Sequence, residues 1–286
     1  MKQTNIIDKT AKIHPNVKLG KYNSIGKNVI IDIVGPNKSD STIVFGDNNI
    51  INDDTKIIVS GDLKIGDWNV FHNNMLIMAE KFILIGHNCW FGQNTILDGT
   101  GGLNIGNGVR VGMYSQIWTH VGSGERIEGC TLYSKRETVI NDDVWLVGSC
   151  IVGSGIELGS RSTYLISSVV TKNTLPNKTY SGTPAKLIES LNFYKQISLE
   201  EKFEMLKSWL LKFSKLYKVN LQITSEGLLL KDENNEVLFT TKSDINLTGS
   251  VFYLESKTYK KTNSSLEREI YSFLYGNKAR FIPIEN

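Results

Sequence analysis

The sequence predicts a mainly β fold, a parallel β-helix carrying a small C-terminal α/β appendage. Two observations predict the helix and a third predicts the appendage. Aliphatic residues recur at intervals of six, as in Ile13, Leu19, Ile25 and Ile31. Apolar-glycine pairs recur every twenty residues, at Ile25-Gly26, Phe45-Gly46, Ile65-Gly66, Ile85-Gly86 and Ile105-Gly106. After Lys186 this regularity gives way to helical spacing and then to short strand-like runs.

Each twenty divides into hexads, such as Ile65, Phe71, Ile77 and then Ile85, Phe91, Leu97, with two residues to spare. A second block runs Ile140, Leu146, Val152, Leu158, Tyr164, Val170. A hexad supplies one short strand and one turn, and three of them close a coil. The first aliphatic points inward and stacks on its counterpart in the next coil, so each coil is buried by its neighbours. Strict intervals of six cover no single face of a 3.6-residue helix, which excludes the helical alternative. Glycine after the aliphatic is expected where the chain turns and a side chain costs conformational freedom. The fifth position is small or β-branched in Val29, Thr55, Cys89, Thr95, Val109, Ser115, Val144, Cys150, Ser162 and Ser168, as a tight corner demands. Between Ile117 and Thr138 the period breaks, and residues 120–138 are expected to stand out as a loop, a common place for function on a rigid scaffold.

From about residue 191 the appendage begins. Ser198 and Glu201 have capping-box spacing, and Phe203, Leu206, Leu210, Phe213 and Tyr217 follow at helical spacing, predicting a helix over 198–218. Val219–Ile223, Leu228–Leu230, Val237–Thr240 and Val251–Leu254 read as strands, with a hairpin turn from Asp232 to Glu236. Ser264 and Glu267 would cap a last helix ending near Gly276. The exposed basic residues Lys257, Lys260, Lys261, Lys278 and Arg280 would either meet an anionic acceptor or only solvate a face.

A net charge of +3 gives no strongly basic face, and so no expectation of nucleic-acid binding. The N-terminus, Met1 to Asn5, lacks the apolar core of a leader, and no stretch reaches the roughly 20 apolar residues of a membrane span. Cys89, Cys130 and Cys150 are odd in number and scattered, so free thiols and a reducing cytoplasm are expected. His14, His72 and His87 sit at different places in the repeat, and Glu125 stands where a histidine partner for His120 would be needed, so no metal is expected.

His120 opens the break, and imidazole can take a proton from an attacking hydroxyl or amine near neutrality. Asp98 lies twenty residues before Trp118, one coil away on the same face, where it would orient His120 or contact an acceptor, or serve only as an acidic turn residue.

The run Thr138-Val139-Ile140-Asn141-Asp142-Asp143-Val144-Trp145, continuing to Val169-Val170-Thr171-Lys172 and Ser181-Gly182-Thr183-Pro184-Ala185-Lys186, resembles the closing signature of the hexapeptide-repeat acyltransferases. The likeness covers about two-thirds of the chain. It implies a left-handed β-helix, whereas parallel crossovers in general favour the right hand. It implies an acetyl-coenzyme-A co-substrate, a homotrimer, and a histidine base where Ile117-Trp118-Thr119-His120 places one. It further implies a donor groove of Trp145, Gly148, Ile166, Thr171, Lys172 and Lys186, with the lysines meeting phosphate. Two departures are visible: Val147 replaces a usual glycine, and Tyr164-Leu165-Ile166 replaces a usual aliphatic-Gly-Ala. The Trp-Thr-His ending and the appendage look most like bacterial surface-polysaccharide and sialic-acid O-acetyltransferases. The alternatives are N-acetylation of an amino-sugar nucleotide or of serine, and a non-enzymatic scaffold subunit.

Overall fold

A computed structural model describes residues 4–35, 41–243 and 245–284. Met1, Lys2 and Gln3, part of the leader-free reading of the N-terminus, lie outside the described residues. The chain separates into two compact units, Met1–Tyr194 and Lys195–Asn286.

The first unit is a parallel β-helix with three faces, formed by a ten-stranded, an eight-stranded and a seven-stranded sheet among the described residues. One coil shows the pattern: Val70–Phe71 lies on face 1, Leu76–Ala79 on face 2 and Phe82–Ile85 on face 3. The next coil repeats it in register, Val70 pairing with Trp90, Leu76 with Ile96 and Ile83 with Leu103. Inward aliphatics such as Ile57, Ile77, Leu97 and Ile117 are fully buried, and Phe71 stacks on Phe91 with ring centres 5.0 Å apart. All ten of the small or β-branched fifth-position residues are buried.

Two expectations are corrected. Ile25 does not stack on Phe45: it pairs with Ile51, and Leu19 pairs with Phe45. The first coil is eighteen residues long (Ile7 pairs with Ile25), and the next is twenty-six (Ile25 pairs with Ile51). The glycines, too, are there for a different reason. A Cβ on Gly66 would lie 2.6 Å from the Gly86 oxygen, so these glycines allow successive coils to approach. The left-handed backbone that turns the corner is carried two residues later, by Asn48, Trp68 and Asn88. Asparagine tolerates that region better than most residues.

Side chains lace the corner between faces 3 and 1. Asp47, Asp67, His87, Asn107 and Asp142 each accept a hydrogen bond from a backbone N–H of the coil before, at 2.6–2.9 Å. Two residues further on, Asn5, Asn23, Asn49 and Asn69 form a second ladder, Asn69 Oδ1 accepting from Cys89 N at 2.8 Å. His87 therefore has a structural task, as does His72, whose ring packs edge-on against Trp90. Among the described residues no three His, Cys, Asp or Glu side chains converge as a metal would need.

In the second unit, helix α1 spans Leu199–Tyr217, and both arms of the Ser198–Glu201 capping box form. Helix α2 spans Ser265–Leu274. A six-stranded sheet runs in sequence order, 220–223, 228–231, 236–240, 250–253, 258–260 and 282–283. Phe239, Phe252 and Tyr259 stack across its strands, over Leu206, Leu210, Phe213, Ile270 and Tyr271 in the unit's buried core. Several of the basic residues are engaged inside the unit: Lys257 sits over Phe281, Lys278 over Phe273, and Lys260 donates to Leu247 O. No described helix is long and apolar enough to cross a membrane.

Replacing Asn69 with Ala removes the acceptor for Cys89 N and the donor to Gly86 O. Orphaning such buried groups costs about 1–3 kcal/mol. The expected result is a lower urea midpoint for Asn69→Ala, with far-UV circular dichroism of the native state unchanged.

Candidate active site

Asp98 ends the face 2 strand Ile96–Asp98, and Trp118 stands at the matching place in the next coil, since Ile96 pairs with Gln116 and Leu97 with Ile117. Strand alternation aims Asp98 and Trp118 outward and would leave both in solvent. Asp98 is nevertheless 0% exposed, because the chain leaving Trp118 folds over it. Its Oδ2 accepts from Thr119 N at 2.7 Å, Thr119 Oγ at 2.9 Å, His120 N at 3.2 Å and His120 Nδ1 at 2.7 Å, while Oδ1 accepts from Thr100 N at 3.0 Å.

This cage fixes protonation. Burial alone pushes the Asp98 carboxyl up, but the hydrogen bonds from Thr100, Thr119 and His120 outweigh it and hold the group below its ordinary value of 3.8. An ionised carboxylate only accepts, so Nδ1 of His120 is the donor of this bond, and in the neutral ring the lone pair lies on Nε2. The imidazole is 38% exposed, so that lone pair is reachable. Trp118 packs edge-on beside it, ring centres 6.2 Å apart, its indole N–H donating to Gln116 Oε1.

The loop rises as a short hairpin, His120–Val121 pairing antiparallel with Ser134–Lys135 across a 3₁₀ turn at Arg126–Glu128. Its neck is pinned to the coils before and after. Arg136 N and Ser154 Oγ both donate to Thr119 O, and Gly101 N donates to Thr119 Oγ at 2.8 Å. A Cβ on Gly101 would sit 2.3 Å from Thr119 O and 2.7 Å from Arg136 N, so only glycine fits between the two arms. Lys135, opposite His120, is held by Glu80 at 2.6 Å, which raises its pKa.

The donor-groove residues do not gather at this corner. Trp145, on face 1, is 41% exposed and pairs with Arg110 and Thr163. Gly148 and Ile166 follow at the corner between faces 1 and 2, with Ile166 67% exposed. Thr171 and Lys172 follow the strand Val169–Val170 toward the corner that carries His120, and Lys186 lies on the closing antiparallel strand of face 1. Tyr164 is turned fully inward, away from any surface groove, and Val147 is half-buried. Unlike Gly112, where a Cβ would strike Val147 O, Gly148 has room for one, its nearest neighbour being Met113 O at 3.7 Å.

Thr119, Thr100 and Gly101 are site residues that the sequence reading passed over. The available signal was alternation. With Ile117 inward, Thr119 is inward as well, a buried polar residue directly beside the candidate base.

No protein-family model matches the chain. Among solved structures it is similar to a hexapeptide-repeat-containing acetyltransferase from Vibrio cholerae O1 biovar eltor, complexed with acetyl coenzyme A (18% identity, 63% of this chain and 72% of that one, TM-score 0.31). It is also similar to the polysialic acid O-acetyltransferase OatWY (16% identity, 68% and 90%, TM-score 0.42). A third is AntD, an N-acyltransferase from Bacillus cereus, in complex with dTDP-4-amino-4,6-dideoxyglucose and coenzyme A (16% identity, 71% and 91%, TM-score 0.35).

Asp98 contributes to stability with a definite sign. A carboxyl whose folded value is depressed stabilises fully above its unfolded value, near 3.8 here, and loses that contribution as pH falls through the lower folded value. Urea midpoints measured below pH 4 should therefore fall more steeply in the wild type than in Asp98→Asn. These likenesses concern the fold, which the strand order establishes independently: the chain has the hexapeptide-repeat β-helix architecture.

Proposed function

We propose that this chain is an acetyl-coenzyme-A-dependent acetyltransferase that O-acetylates a sugar or a bacterial surface polysaccharide, with His120 as general base. The observation that carries the reading is the pair of Asp98 Oδ2 and His120 Nδ1 at 2.7 Å, one partner fully buried and the other open to solvent. Acetyl-coenzyme A supplies an activated acetyl thioester. Nε2 of His120 takes the proton of the acceptor hydroxyl as its oxygen adds to the thioester carbonyl; the C–S bond then breaks, and the imidazolium, stabilised meanwhile by the Asp98 carboxylate, returns the proton to the departing coenzyme thiolate. Trp118, edge-on to the imidazole, offers the acceptor a flat apolar wall.

For the donor, the edge formed by Trp145, Gly148 and Ile166 has the features an extended thioester arm needs. It has exposed apolar side chains, and at Gly148 a glycine that packing does not require. Tyr164 points away from it. Thr171 adds a hydroxyl, and the exposed ammonium groups of Lys172 and Lys186 suit phosphate. Residues 1–190 would form the transferase prism and 191–286 an appendage to it, and we place the enzyme in the cytoplasm.

His120→Ala should lower kcat at least about 100-fold, the smaller end of what a positioned base contributes. Coenzyme affinity measured by calorimetry should stay as it was. A variant retaining more than about a tenth of wild-type kcat would remove His120 from the base role.

The reading includes a homotrimer. Face 2 turns Ile58, Leu76, Met78 and Ile96 outward, half-buried in the single chain, with Ile151 beyond them. An apolar sheet face of that extent calls for a covering partner. Light scattering should give the mass of three chains, and a fully active monomer would overturn this part of the reading.

A further inference from the structure

We infer that Thr119 is a positioning residue for the Asp98–His120 pair, and that its hydroxyl sets the basicity of His120. The inference rests on the acetyltransferase reading for its kinetic consequence, though not for its geometry.

Thr119 is fully buried, and its hydroxyl is committed on both sides. The oxygen accepts from Gly101 N at 2.8 Å and the proton goes to Asp98 Oδ2 at 2.9 Å. A hydroxyl has one proton, and Asp98 and Gly101 N fix its direction: the amide can only donate and the ionised carboxylate can only accept. Gly101, Thr119, Asp98 and His120 thus form one chain of hydrogen bonds, in which the Thr119 hydroxyl and the imidazole both donate to the same carboxylate oxygen.

The oxygen that Thr119 engages is the one that faces His120. Oδ2 divides its electron density among Thr119 N, Thr119 Oγ, His120 N and His120 Nδ1, while Oδ1 has Thr100 N. Each donor to Oδ2 other than Nδ1 weakens the pull of the carboxylate on the ring. Removing the Thr119 hydroxyl therefore leaves the carboxylate more basic toward His120, favours imidazolium, and raises the pH at which the ring loses its proton. The other charged groups near the ring are Lys135 on the paired strand, with Glu80 as its counter-ion, and Arg136 at the neck. None of them bonds the Thr119 hydroxyl, so the substitution leaves their direct contacts in place. The same deletion frees one anchor of the carboxylate, so the ring is held less firmly in its working orientation.

The test compares Thr119→Val, which keeps the shape and deletes the hydroxyl, with Thr119→Ser, which keeps the hydroxyl. In substrate-free protein, the His120 Cε1 proton is titrated by NMR. In the presence of coenzyme and acceptor, the pH profile of kcat/KM is recorded. Thr119→Val should raise the His120 midpoint and the acid limb together by about half a unit. It should lower kcat on the order of tenfold, the weight of one hydrogen bond to a charged group, with the coenzyme KM unchanged. Thr119→Ser should restore all three. Should Thr119→Val not fold, Thr119→Ala is read in the same way. An unshifted midpoint in a folded variant, or a Ser variant that behaves as Val does, would overturn the inference. If the wild type transfers no acetyl group while the midpoint still moves with the hydroxyl, the positioning role stands and the acetyltransferase reading fails.

Discussion

Register between successive coils is the constraint on which this structure depends. Strands in the interior of each prism face are paired above and below, by parallel neighbours except at the closing strand Lys186–Leu187, and their inward residues stack on inward residues. A slip of one residue would turn each buried aliphatic out to solvent. The corner between faces 3 and 1 prevents the slip by hydrogen bonding. The side chains of Asp47, Asp67, His87, Asn107 and Asp142 each reach one coil back to a particular amide, and two residues further on Asn23, Asn49 and Asn69 each reach one coil forward. A corner laced in this way has no slack for an added residue.

Every change in coil length falls at another corner, the one between faces 2 and 3. The basic coil is eighteen residues, as from Ile7 to Ile25 and again from Trp145 to Thr163. The coil that pairs Ile25 with Ile51 is eight residues longer, between the strands Ile30–Ile33 and Ile43–Phe45, and two extra residues lengthen each of the coils that pair Val70 with Trp90 and Trp90 with Arg110. The largest insertion separates Leu103 from its partner Thr138, thirty-five residues on. The site stands at this corner because only this corner has spare chain. In the coil before the loop that spare chain is Gly99-Thr100-Gly101-Gly102, small enough for both arms of the neck to rest on Gly101. The loop is therefore rigid where His120 leaves it and exposed at its tip, where Ile127 is 87% in solvent.

The hexads made the fold legible because an interval of six leaves no competing periodicity, and the break after Ile117 made the corner legible. His120 and Asp98 followed from one registration, twenty residues between Asp98 and Trp118. What stayed hidden was whatever depends on distances between coils. The twenty-residue repeat set Ile25 beside Phe45, since spacing alone does not reveal where an insertion falls. Asn49 and Asn69 occupy the same fifth position as Cys89 and Val109, yet composition does not show that amides there bond to one another. Alternation could mark Thr119 as inward, but not what it bonds, its two partners lying in the coil before. In the appendage the two caps announced the helices, whereas Thr258–Lys260 and Ile282–Pro283 are too short to carry an alternating pattern.

The three faces also bear on how a complete site is assembled. Strands of face 2 run from the corner that carries Gly148 and Ile166 to the corner that carries His120. Within one chain Gly148 and Ile166 are thus separated from His120 by the width of a sheet, with the outward apolar residues of face 2 between them. Side chains cannot cross that width, and the hydrogen-bond ladder keeps the corners from moving toward each other. If both edges serve one reaction, the donor edge of one prism must meet the His120 corner of another. The same docking would cover Leu76, Met78 and Ile96, and would give the exposed Ile127, Leu132 and Tyr133 of the loop a surface to grip. Under this reading the apolar face, the exposed loop tip and the divided site residues have a single explanation: association brings together what the rigidity of each prism holds apart.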